Sequence, residues 1–216
     1  MKRLLIGLMV GAMAAIGFGG VGAFAASSNW KVGSYNASGQ ALSMASVGAG
    51  SGMATFNFTN QPNTALLVTT QGALKGDLLG NLTGETITAA FTVADVSPTA
   101  TFIYGGGFCG STTSYVRLFF QTDNGGGFAY THYWWSNPIQ VTLGNGGGQL
   151  KADLTDPTLW SDWNGQFAIT EPAGFSDAVA NVTTIGLSFG GGCFFENGVG
   201  TTDGSGSFTL TSFTVG

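Results

Sequence analysis

Apolar and polar positions alternate with a period of two in short runs, and Gly, Pro, Asn and Asp bound most of these runs. Ile87, Ala89, Phe91 and Val93 alternate with Thr86, Thr88, Ala90 and Thr92. That is the period of a half-buried strand with one apolar and one threonine-rich face. Ile185, Leu187 and Phe189 alternate on a second buried strand, and residues 208–215 (FTLTSFTV) read as a closing one. The β-rich runs at 54–59 (ATFNFT) and 64–70 (TALLVTT) flank Asn60-Gln61-Pro62-Asn63 and predict a hairpin. Residues 139–143 and 149–154 predict another across the glycine-rich stretch 144–148. Residues 27–52 are weakly patterned and predict one N-terminal strand, carrying Trp30 and Tyr35, and a loose connection. Helical spacing occurs in FSDAVANV, where Phe175, Val179 and Val182 share a face.

The richest segment is the pair 114–122 (SYVRLFFQT) and 127–135 (GFAYTHYWW), joined through Asn124-Gly125. Asn-Gly is the favoured pair for a two-residue hairpin turn, because both central positions need positive φ. That turn sets Arg117 opposite His132, Tyr115 opposite Trp134 and Phe119 opposite Tyr130. These six share one face, while Val116, Leu118, Phe120, Ala129, Thr131 and Tyr133 share the other. An arginine in a dry core is costly. The second face is therefore the expected core, and the face of Tyr115, Arg117, Tyr130, His132 and Trp134 is expected to open onto solvent or line a groove.

Short strands, glycine-rich turns and one helical turn define an all-β chain, expected to be an antiparallel two-sheet jelly-roll-like sandwich with one short helix. No repeat of 20 to 50 residues is visible, which argues against a propeller or solenoid. The order from Tyr115 to Val215 resembles laminin B-type and galactose-binding-like jelly-roll modules of secreted proteins. The likeness lies in the aromatic strand pair, a tryptophan at Trp160 or Trp163, FSDAVANV running into TTIGLSF, and the final strand SFTLTSFTV. It covers about half the chain, and it implies glycan binding or a role in matrix interactions. Such modules often carry an acidic residue and Asn in the closing strand, near a structural calcium. Here that place reads Leu210-Thr211-Ser212-Phe213, so the calcium site does not carry over.

Residues 1–25 change the picture of where the chain works. A basic start (Lys2, Arg3), an apolar run and the triplet Ala23-Phe24-Ala25 read as a secretory signal peptide. Residues 26–216 are then expected to form a single sandwich domain, secreted or extracellular, or periplasmic, with no membrane span. Loss of Lys2 and Arg3 takes the net charge from −5 to −7, which disfavours nucleic acid and anionic membranes as partners. Charged residues make up only 8% of the chain, so its surface must be neutral and polar, which also suits self-association. Cys109 and Cys193 are the only cysteines, and in an exported chain they are expected to form a disulfide.

Candidate chemistry is sparse. His132 is the only histidine, and no HExxH, P-loop or CxxC spacing occurs, which removes the commonest zinc, nucleotide and redox motifs. No cofactor is expected. Asp153, Asp156 and Asp162 could offer carboxylates to a structural calcium, but their spacing is not that of an EF-hand loop. Glycoside hydrolysis needs two facing carboxyl groups. Glu85, Glu171 and Glu196 are the only glutamates, and Glu196 with Asp203 in one glycine-rich loop is the pair a hydrolase would use. The stronger signal is aromatic: Tyr130, Tyr133, Trp134 and Trp135 can stack on sugar rings, while Arg117, His132 and Gln121 can bond their hydroxyls. Three functions follow: a non-catalytic module binding a polysaccharide or cell-surface glycan, a structural or self-associating surface protein, and a glycan hydrolase using loop carboxylates.

Overall fold

The computed structural model describes residues 27–35, 41–70, 78–105, 113–123, 125, 127–192 and 198–216. These form β1 (Ser27–Tyr35), β2 (Ala41–Gly48), β3 (Ala54–Asn57), β4 (Leu66–Thr69), β5 (Thr86–Ala94), β6 (Phe102–Tyr104) and β7 (Tyr115–Thr122). β8 (Tyr133–Thr142), β9 (Gly146–Asp153), β10 (Trp160–Asp162), α1 (Pro172–Ala180), β11 (Val182–Gly190), β12 (Val199–Thr201) and β13 (Ser207–Val215) follow. The chain is mostly β, as its alternation predicts.

Eleven strands make one antiparallel sheet in the order β10-β8-β7-β11-β4-β1-β2-β3-β13-β5-β9, and β6 pairs with β12 in a small second sheet. The large sheet curls so that its two halves share one core. β11 and β13 are five places apart in strand order, yet the ring of Phe189 on β11 lies 5.1 Å from Phe208 on β13 and 5.8 Å from Phe56 on β3. Val116, Leu118 and Phe120 of β7 join this core, as the alternation requires, together with Ile87, Ala89, Phe91 and Val93 of β5. α1 seals one end of it. Pro172 occupies its first turn, where no amide partner is lost, and Phe175 packs 4.9 Å from Trp134.

Three pairings differ from the sequence expectation. β3 and β4 do not form a hairpin: β3 pairs with β13, and β4 lies between β1 and β11. β8 and β9 lie near opposite ends of the strand order, and β9 pairs with β5. Residues 27–48, expected to hold one strand, form the β1–β2 hairpin.

A fourth correction concerns β7 and β8. The register is Phe119 to Trp135, Phe120 to Trp134 and Gln121 to Tyr133, so Arg117 does not face His132 and Tyr115 does not face Trp134. The chain leaves β7 at Thr122 and returns only at Tyr133, after a 3-10 turn at Tyr130–His132. Asn124 lies outside the described residues. Gly125 (φ 72°) and Gly127 (φ 82°) take the left-handed conformations that widen the loop, and the Phe128 ring docks 5.5 Å from Trp163 and 5.6 Å from Tyr133. That docking outweighs the local preference for a tight turn. Further along, β8 carries extra residues opposite Arg117 to Phe119. The Ser136 hydroxyl repairs the ladder there, accepting from the Leu118 amide at 3.0 Å and donating to the Ile139 carbonyl at 2.6 Å.

Candidate functional site

Side chains alternate across a strand, so the face opposite the core is fixed once the core is known. On β7, β4 and β8 this outer face is also apolar. Leu66, Val68, Phe119, Tyr133, Trp135 and Trp163 form a second buried cluster, with Met44 of β2 packed against it. Trp135 is anchored by its indole N–H, which donates to the buried Ser188 hydroxyl at 2.9 Å. Consecutive apolar residues serve both clusters: Phe120 and Trp134 face the core, while Phe119 and Trp135 face outward.

A groove of about 450 Å³ opens on this outer face. Leu66 and Val68 line its floor with Met44, and Phe128, His132 and Tyr133 from the long loop and the start of β8 line a side. Neutral polar groups border it: Thr70 after β4, Gln121 and Thr122 on β7, and Thr184 on β11. Lys31 and Asp123 are its charged residues among those described. Burial, and then the nearby Asp123 carboxylate, push the Tyr133 hydroxyl above the ordinary tyrosine range, so it keeps its proton and can donate. Phe128 is 42% exposed, and its ring meets Tyr130, itself 50% exposed, edge to face at 5.5 Å. The groove therefore offers apolar contact and uncharged donors and acceptors side by side.

The residues that the sequence brings together on one open face fall in different places. His132 lines the groove, and Tyr130 stands beside it against Phe128. Trp134 is fully buried between the sheet and α1, its indole N–H donating to the Thr131 carbonyl at 2.7 Å. Arg117 is also fully buried, between Ser188 of β11 and Gln140 of β8. Tyr115 is half-buried at the far end of β7, opposite Gly190. The shifted register separates them. Gln121, named from the sequence as a sugar-bonding group, does line the groove, whereas Leu66, Val68, Phe128 and Thr184 were not named from the sequence. The signal for the second cluster, and for the floor it supports, was present in the doublets Phe119-Phe120 and Trp134-Trp135 and the run Leu66-Leu67-Val68, because strands buried on both faces lose alternation.

Cys109, Cys193 and Glu196 lie outside the described residues. Among the described residues no group of three or more His, Cys, Asp or Glu stands together as a metal site. Asp153, Asp156 and Asp162 each close a local turn, on Thr155, on Thr158, and on Asn164 with Gln166. Asp203 does the same with the Ser205 amide at 2.9 Å. No helix among the described residues is long and apolar enough to cross a membrane. Compared with known proteins, the chain matches no family, no curated protein and no solved structure.

Proposed function

We propose that this chain is a secreted, non-catalytic module that binds a polysaccharide or a cell-wall or matrix glycan, and that the outer-face groove is its binding site. The curled sheet is read as a jelly-roll-type sandwich whose two halves are its layers. One observation carries the reading: Phe128 and Tyr133 offer aromatic surface beside the uncharged hydrogen-bonding groups of Gln121, Thr70 and Thr184. A sugar needs both, since its C–H face packs on aromatic rings while each hydroxyl needs a partner. The leader-like residues 1–25 support secretion. The module is read as non-catalytic: Asp123 is the one carboxylate among the described lining residues, whereas a two-carboxylate glycosidase uses a facing pair.

Affinity electrophoresis through gels containing soluble glucans, mannans, xylans or galactans tests this. Retardation by at least one glycan is expected, with about tenfold weaker binding for Phe128→Ala, equivalent to about 1.4 kcal/mol. No retardation on any glycan, or retardation that Phe128→Ala and Gln121→Ala both leave unchanged, would sink the reading. Trp134→Ala separates fold from site: it empties core volume and is expected to cost about 3 to 5 kcal/mol of stability.

A further inference from the structure

The groove runs across strands rather than along one. We propose that it holds an extended, uncharged polysaccharide laid across the strands, several sugar units at a time; this rests on the glycan-binding reading above.

The registers show how long the trough is. Tyr133, Gln121 and Thr184 lie side by side on β8, β7 and β11. The next row crosses six consecutive strands: Trp135, Phe119, Gly186, Val68, Lys31 and Ser46. A third runs Ser188, Leu66, Gly33 and Met44. The groove's lining spans the same six strands, from Tyr133 on β8 to Met44 on β2. Five strand spacings cover about 24 Å along the sheet. A single sugar ring would leave most of that length empty.

Two glycines let the middle strands pack closely beneath the trough. Gly186 sits between Phe119 and Val68, and Gly33 between Leu66 and Met44. Both are required by close backbone approach, since an added Cβ would run into the Leu67 carbonyl at Gly186 and the Ser43 carbonyl at Gly33.

The charges select against ionic polymers. Asp123 follows β7 and Lys31 lies on β1, so at least three strand spacings, about 14 Å, separate the carboxylate end from the ammonium end. An anionic chain that fills the trough meets Asp123 as well as Lys31, and the chain without residues 1–25 carries a net charge of −7. A cationic chain meets Lys31. An uncharged chain uses both groups as hydrogen-bonding partners.

Calorimetry with cello-, manno- and xylo-oligosaccharides from disaccharide to hexasaccharide, and with oligogalacturonides as the anionic arm, reads this out. Affinity is expected to climb with each unit up to the length of the trough, by about threefold to tenfold per occupied position. Lys31→Ala, at the far end, is expected to weaken the hexasaccharide more than the disaccharide. Affinity that is flat beyond the disaccharide would overturn the extended-chain inference while leaving glycan binding intact. Oligogalacturonides that bind as tightly as the neutral series would overturn its uncharged character. No binding of any oligosaccharide in any series would remove the glycan reading and this inference with it.

Discussion

Asp162 is a carboxylate taken out of water. It is 2% exposed, and its oxygen accepts the backbone amides of Gln166 at 2.8 Å and Asn164 at 2.9 Å. Burial raises its pKa above the ordinary carboxylate value, those amide bonds pull against the rise, and the charge of Glu171 adds to it. The folded state therefore holds this proton more tightly than the unfolded chain does. The contribution to stability is greatest below the unfolded carboxylate pKa and is lost as pH rises through the folded one. Asp162→Asn keeps an oxygen for the two amides and removes the charge. Thermal unfolding across the acid-to-neutral range should show the variant matching the parent in acid and exceeding it near neutrality. A parent more stable than the variant at neutral pH would show that the buried charge helps the fold. Asp153 works in the opposite sense: the Thr155 amide, then its hydroxyl, hold that carboxyl below its usual range, so its contribution disappears as pH falls through the lowered value.

At the scale of elements, the small β6–β12 sheet is a clasp. The Gly105 amide donates to the Gly198 carbonyl at 3.0 Å, and Gly190 pairs with Tyr115. The two segments that carry Cys109 and Cys193 thus begin and end beside each other. A disulfide between them is predicted: intact mass should read one hydrogen molecule below the reduced chain, and non-reducing peptide mapping should join the two cysteine peptides. Closing a loop of about 85 residues is worth about 4 to 5 kcal/mol, so reduction should lower the melting temperature sharply. Two alkylatable thiols in protein purified without reductant would refute the bond. The two-face pattern of β5 and β11 could be read from the sequence because each presents one clear apolar face to the core, and Phe175 and Val179 marked α1 by their spacing, although Val182, read on the same helical face, opens β11. The strand partners could not be read that way. β3 and β4 are neighbours in sequence but fill separate places in the curl, a choice made by distant packing such as Phe56 on Phe208 at 5.3 Å. The shared face of Tyr115, Arg117, Tyr130, His132 and Trp134 was misread for a related reason: Asn124-Gly125 is a strong local signal, but the chain returns only at Tyr133, with Phe128 docked on Trp163.

For the whole molecule, one shared core implies one unfolding unit. Trp134, Trp135, Trp160 and Trp163 lie in or beside β8 and β10, and Trp30 packs 5.2 Å from Phe213 of β13, so in a Trp30→Phe background fluorescence reports the β8–β10 half, whereas far-ultraviolet circular dichroism reports both. Urea transitions followed by the two signals should coincide, and Phe189→Ala should shift both together by about 3 to 5 kcal/mol. Separate transitions would mean that the halves fold independently. The paired doublets have a final consequence for recognition. Because Phe119 and Trp135, packed with the floor residues Leu66 and Val68, are covalent neighbours of Phe120 and Trp134 in the core, the floor is held in place by both clusters. A ligand seated there, as proposed, would meet a surface already arranged by the core, at little cost in entropy.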